Sequence, residues 1–395
     1  MAQRRATRFY PVAEPDIGRL EQRYVLDALR SGWVSSLGRY VTDFEERFAR
    51  YCGATQGIST CNGTAALHLA LASLGIGAGD EVVVPALTFV ATASAVLYTG
   101  AKPVFADVDY ATWCVNAAAI ARVLSPRTRA MVVVHLYGHP ADMDPILKLA
   151  ASHRISVIED AAEAHGARYK GRRVGSLGKA GIFSFYGNKI ITTGEGGMLL
   201  TSDNRLAGRA RFLRDHAMSQ EKRYVHPEIG YNYRLTNIQA ALGLAQLERI
   251  DSFIARRRDI MRWYREALGS REDVVLNPAM PWAESANWMA SALFPASIGA
   301  GRIAGRLREL GVDTRPFFRP MHMLPPFAGN RYHGATRFPV AEDLAVRGLN
   351  LPTAGRLHRS DIRYIAGAVK QVLDELYEQR KGKSDPKRKG RPATS

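Results

Sequence analysis

Ile155-Ser-Val-Ile-Glu-Asp160 is a mostly apolar, β-rich run that ends in two acids. Such a run predicts a buried strand with a carboxylate at its carboxyl end. The same pattern repeats on both sides of it. Further β-like runs are expected at 57–60, 81–84, 103–106, 129–135, 181–185 and 197–200, with the quoted strand at 155–159. Helical runs alternate with them at 65–74, 90–97, 145–152 and 204–213. This alternation predicts an α/β domain on a mostly parallel sheet covered on both faces. In such sheets ligands bind in the crevice at the carboxyl ends of the strands, which makes Asp160 a candidate site residue. Capping of the following helix is the simpler alternative for it.

Outside this block the periodicity changes. Residues 1–15 are irregular, and helices are expected at 16–30 and 41–51, each closed by a glycine, Gly32 and Gly53. From Thr236 to Leu268 no proline interrupts a long apolar-faced stretch. It is expected to be one helix leading into a smaller α/β domain, with a strand near 289–294 and helices at 301–310 and 360–377. The expected organisation is therefore an N-terminal segment and large domain over 1–245, a small domain over 246–378, and a basic disordered tail over 379–395.

Composition excludes several classes of function. A chain of 395 residues with 46% hydrophobic content can bury cores for two or three domains without disulfide staples. Cys52, Cys61 and Cys114 lack C-x-x-C spacing, which argues for a reducing compartment and against structural zinc. His135 and His139 are four apart, but Gly138 and Pro140 oppose the helix that would bring them together, so no metal is expected. The 20 uncharged residues between Glu81 and Lys102 contain Pro85 and Gly100, and fit a strand, a turn and a helix better than a membrane span. The N-terminus lacks the apolar core of a signal peptide, and a cytoplasmic protein is expected. The net charge is +17, of which the last 16 residues supply six through seven basic side chains against Asp385. A solvated tail explains those better than a nucleic-acid arm, and the remaining excess would draw in an anionic substrate.

Two further segments carry chemistry. Ser184-Phe-Tyr-Gly-Asn-Lys189 follows the strand at 181–185 and runs on to Gly194-Glu-Gly-Gly197. A lysine just past a buried strand is desolvated, which lowers its pKa and frees the amine to form a Schiff base with a carbonyl. Asn62-Gly63-Thr64 joins a strand to an apolar helix, where unpaired N–H groups and the helix dipole favour an anion, although a plain N-cap fits equally well. Lysine, carboxylate and anion cradle together match the needs of pyridoxal 5'-phosphate: a partner for its aldehyde, its ring nitrogen and its phosphate.

With those residues in view, the chain resembles the DegT/DnrJ/EryC1/StrS sugar aminotransferases, which have the fold type I architecture of pyridoxal-phosphate enzymes. The resemblance runs from about residue 11 to 376. It is carried by Gly32-Trp-Val-Ser-Ser36, Asn62-Gly-Thr64, Pro85-Ala-Leu-Thr-Phe-Val-Ala-Thr92, His135-Leu-Tyr-Gly-His-Pro140 and Glu159-Asp-Ala-Ala162. It continues through Ser184–Lys189, Gly194–Gly197, Gly230-Tyr-Asn-Tyr-Arg234 and Arg315-Pro-Phe-Phe-Arg-Pro320.

The resemblance implies that Lys189 bonds the cofactor's aldehyde and Asp160 pairs with its ring nitrogen. Phe89 would stack on the ring, while Gly63, Thr64 and Ser184 hold the phosphate. Asn232 would reach the phosphate of the neighbouring subunit of a homodimer. Glu163 stands beside the ring, where many relatives carry glutamine. Relatives with histidine at the lysine position dehydrate their sugars, so Lys189 points to transamination, with glutamate as the implied donor.

Within the family, the segments at 186–197 and 315–322 are most similar to enzymes that aminate GDP-linked 4-keto-6-deoxyhexoses. A 3-keto isomer of polyene macrolide pathways and a dTDP- or UDP-sugar are the alternatives. Trp33, Ser35, His216, Arg315, Phe317 and His322 are the candidates for binding the sugar nucleotide. Arginine suits a diphosphate through bidentate bonds, while Trp33 as core and the two histidines as structural groups are the simpler readings. A basic regulatory protein on a relic fold, binding DNA in a salt-sensitive way, is the rival from another class.

Overall fold

The computed structural model of the chain describes residues 8–329, 332 and 337–384. The apolar runs fold as strands β1 (Gln56–Thr60), β2 (Glu81–Pro85), β3 (Lys102–Ala106), β4 (Thr128–Val134) and β5 (Ser156–Asp160). A short pair, β6 (Arg168–Tyr169) and β7 (Arg172–Arg173), precedes β8 (Ala180–Ser184) and β9 (Gly197–Thr201). Seven of these form one sheet in the order β1-β9-β8-β5-β4-β2-β3. Neighbours from β8 to β3 are parallel, and β9 runs antiparallel to both β8 and β1. The sheet is therefore mixed, with one reversed strand in a parallel array. Its strands are buried almost throughout, as expected where both faces are covered.

Helix Gly63–Ser73 shows why the sequence folds this way. Its residues are apolar all round and mostly buried, which marks an interior helix, and it packs on β8 and β9. Asn62 caps it by accepting the Ala65 amide at 2.8 Å. The helix closed by Gly53 spans Arg39–Cys52, with Gly53 left-handed at φ 85°.

A second sheet takes the order β10-β12-β14-β13, antiparallel throughout. Its strands are β10 (Val275–Leu276), β12 (Ala290–Leu293), β13 (Arg315–Pro316) and β14 (Gly348–Leu351), while β11 (Ala283–Glu284) pairs with β6 instead. Helices Ile250–Leu268, Ala300–Glu309 and Arg359–Ser384 share a core with this sheet.

Several expectations need correcting. The stretch 236–268 is two helices, Asn237–Glu248 and Ile250–Leu268, broken at Arg249 (φ −105°, ψ −1°). Arg249 is drawn to the N-terminal segment, meeting Glu21 at 2.7 Å and Asp16 at 2.8 Å. The two cores draw on segments from both halves of the chain. Tyr10 belongs to the second core, whereas Trp288, Phe317, Phe327 and Phe338 belong to the first. The last helix runs on to Ser384, past residue 379 where the tail was expected to start; residues 385–395 lie outside the described residues. Among the described residues no helix is long and apolar enough to cross a membrane.

Under the sheet, Phe48 is fully buried against Phe183 and Phe185, with ring centroids 4.9 and 5.2 Å away in edge-on contact. Phe48→Ala is expected to destabilise the fold by about 3–5 kcal/mol through the cavity it leaves, read as a lower midpoint in chemical denaturation.

Candidate active site

Side chains alternate along a strand, and the acids that end β5 face opposite ways. Glu159 turns inward and accepts the amides of Gly175, Leu177 and Gly178 at 2.6–2.8 Å. It also faces His135 Nε2 at 3.1 Å, and His135 Nδ1 accepts the Ala141 amide, which places the ring proton on Nε2. Asp160 turns the other way and lines a cavity of about 530 Å³. It accepts the Thr92 hydroxyl at 2.9 Å and the Ala162 amide at 3.2 Å. Burial raises its pKa, against the pull of those bonds and of Lys189.

β8 ends at Ser184, and a turn closed by the Lys189 amide on the Tyr186 carbonyl carries the lysine into the same cavity. Its Nζ lies 4.0 Å from Glu163 Oε1 and 4.0 Å from the ring centroid of Trp288. Burial lowers the Lys189 pKa, Glu163 and Asp160 oppose this, and Arg315 adds to the lowering. Glu163 Oε2 accepts the Tyr137 amide at 2.8 Å, and burial pushes this carboxyl up to about 7 despite Lys189. Tyr137 holds a left-handed φ of 52° to present that amide, a conformation that costs on the order of 1–3 kcal/mol outside glycine. Packing against Phe317 and Phe318, at 4.6 and 5.4 Å, keeps it there.

Gly63 and Thr64 open their helix at the cavity wall, where first-turn amides have no intrahelical acceptor. A Cβ on Gly63 would stand 2.8 Å from the Ser184 Cβ, so only glycine lets the two walls of this cradle meet. Arg315 and Phe318 reach the cavity from the second sheet's side, and Phe89, half exposed, faces Phe318 at 5.7 Å.

The fold thus brings Gly63, Thr64, Phe89, Asp160, Glu163, Ser184, Lys189 and Arg315 to one cavity. The other candidates lie elsewhere. Asn232 is exposed and bridges Asp215. Trp33 is exposed, not core, and Ser35 and His216 are exposed outside the cavity. Phe317 is buried between Trp113 and Tyr137, and it is Phe318, one residue on, that faces the cavity. His322 lies outside the cavity and meets Glu342 at 2.9 Å. Thr92, Tyr137 and Trp288 were missed. Thr88 and Thr92, four apart and 3.1 Å from each other, carried a helical-spacing signal; Trp288 had none, arriving from a distant segment.

Gly63→Ala is expected to push Ser184 away and weaken binding of a phosphorylated cofactor at least about tenfold through the lost cradle. Titration with pyridoxal phosphate, alongside an unchanged circular dichroism spectrum, checks this.

The chain matches the model of the DegT/DnrJ/EryC1/StrS aminotransferase family over residues 15–370. The GDP-perosamine synthase of Caulobacter vibrioides is 47% identical over 366 residues, which cover 92% of this chain and 98% of that protein. The GDP-perosamine synthase of Escherichia coli O157:H7 is 42% identical, covering 93% of this chain and 100% of its own. The crystal structure of the aminotransferase TlmJ from Streptoalloteichus hindustanus has a TM-score of 0.88 to this fold at 34% identity, covering 93% of this chain and 100% of that one. With the match spanning both sheets and the whole cavity, the chain belongs to the DegT/DnrJ/EryC1/StrS aminotransferase family.

Proposed function

We propose that the chain is a pyridoxal-phosphate-dependent aminotransferase that converts GDP-4-keto-6-deoxymannose to GDP-perosamine. The observation that carries this is a buried amine and a buried carboxylate, Lys189 and Asp160, lining one cavity beside an anion cradle. The residues fit the cofactor. Asp160 is a buried carboxylate bonded to one hydroxyl and one amide, and a protonated ring nitrogen would complete its partners. The absence of a Cβ at Gly63 lets the helix start and Ser184 close into one cradle, whose unpaired first-turn amides suit a phosphate.

When bound, pyridoxal phosphate supplies an electron sink that makes the proton on the carbon beside the nitrogen removable. Asp160, oriented by Thr92, would hold the ring nitrogen in its protonated form. Gly63, Thr64 and Ser184 would hold the phosphate, and Phe89 would cover the ring. Lys189 would bond the aldehyde and, once released, move a proton at its Nζ between cofactor and substrate carbon. Arg315 would meet an anionic group of donor or sugar nucleotide. Two relatives named GDP-perosamine synthase, each covered almost end to end, support the sugar.

Glutamate as donor is consistent with a carboxylate-binding Arg315. A homodimer is supported by exposed apolar side chains close together along one segment, Trp33, Val34 and Leu37. In that dimer Asn232, exposed in one copy, would reach the partner's phosphate, and Trp33, Ser35 and His216 would be available to its sugar nucleotide. Three free cysteines suit a reducing cytoplasm.

Lys189→Ala is expected to lower transamination at least about a thousandfold without unfolding the chain, read as single-turnover kinetics beside a melting curve. In a panel of GDP-, dTDP- and UDP-linked 3-keto and 4-keto sugars, the GDP-4-keto sugar is expected to turn over fastest, with the new C–N bond placed by NMR. Faster turnover of another member overturns the sugar assignment.

A further inference from the structure

We propose that Glu163 is the proton partner of Lys189, taking the proton the ammonium must lose before the amine can attack a carbonyl and returning it when the amine is released. This deepens the reading above, since it rests on Lys189 being the reacting amine. Among the described residues, the carboxylate oxygen within ion-pair reach of Lys189 Nζ is Glu163 Oε1, at 4.0 Å. The geometry leaves that oxygen pointed at the amine, because Oε2 is held by the Tyr137 amide at 2.8 Å. Tyr137 adopts its left-handed backbone to make that bond, so the orientation of the carboxylate is built into a strained residue.

The step moves one proton and no electrons. An N–H bond of the ammonium breaks, an O–H bond of the carboxylic acid forms, and the amine keeps its electron pair. At 4.0 Å the groups are too far apart for a direct hydrogen bond, and a lysine rotation or one bridging water closes the gap. Burial acts on both partners in the same sense, disfavouring charge on each. The ion pair and the neutral acid–amine pair are thereby brought closer in energy, which favours reversible transfer.

The groups around Glu163 do not compete for this role. Asp160 is bonded to Thr92 and Ala162. Tyr137 is held far above its ordinary pKa by burial, and its hydroxyl accepts the Phe318 amide. Burial pushes the Cys114 thiol up to about 12 and the His165 imidazole down to about 3, so both stay neutral near pH 7. Arg315, at the cavity wall, has only N–H donors and offers no acceptor for the proton.

Glu163 accepts a proton only when ionised, so the rate at which Lys189 bonds pyridoxal phosphate should rise with pH through about 7, where this carboxyl titrates. The test uses the full chain freed of cofactor and mixed with pyridoxal phosphate. The absorbance change gives the rate, and borohydride reduction with mass spectrometry confirms attachment at Lys189. Glu163→Gln keeps an oxygen for the Tyr137 amide but cannot titrate. It is expected to lose the rise near pH 7 and to attach roughly a hundredfold more slowly above it, within the usual range for a lost acid–base group. Glu163→Asp is expected to retain the rise at a reduced rate. A Glu163→Gln profile superimposable on wild type overturns the proposal while leaving the cofactor assignment standing. A wild-type chain that forms no bond at Lys189 overturns both.

Discussion

An amine and two carboxylates, Lys189, Asp160 and Glu163, share one cavity and are each buried in its wall, and this charge burial sets the terms for the site. Desolvation of each charge costs several kcal/mol in protein interiors unless partners compensate. Here the partners are specific. Thr92 and the Ala162 amide support Asp160, the Tyr137 amide supports Glu163, and the Trp288 ring face lies 4.0 Å from the lysine nitrogen. Each is held by an element that packs deep in the first core. The strained backbone at Tyr137 persists because Phe317 and Phe318 pack against the ring.

The mixed sheet explains how residues far apart in sequence meet. β5 and β8 are adjacent and parallel, so their carboxyl ends open on the same side. Asp160 closes the first, and Ser184 closes the second just before the turn to Lys189. β9 returns antiparallel beside β8 and sets Gly197 opposite Ser184, so the glycine-rich segment lies behind the cradle. The cavity is then completed from the second sheet's side by Trp288, Arg315 and Phe318.

Much of this was legible because it is local. Most strands of the large sheet are short, largely apolar runs, and the ends of β5 and β8 lie where those runs stop. What was not legible depends on distant partners. The break at Arg249 follows from Asp16 and Glu21, more than 220 residues earlier. Phe317 and Phe318 are alike in sequence; the pairing of Arg315 with Asn350 and Pro316 with Leu349 establishes the register that turns one inward and the other toward the cavity. Trp288 carries no local mark of function, since its role arises from where a remote loop comes to rest. Residues such as Trp288, Phe327 and Phe338 likewise return from far along the chain to pack in the first core.

The N-terminal segment couples the two ends of the chain. Tyr10 is stitched between Gly311 and Asp313, Val12 accepts the Thr353 amide, and Arg8 pairs with Asp361. As the polypeptide leaves the ribosome, Tyr10 and Val12 must therefore wait for partners made roughly 300 to 340 residues later. Docking of this segment thus depends on residues 311–361 being in place, and its contacts tie the first described residues to the second core.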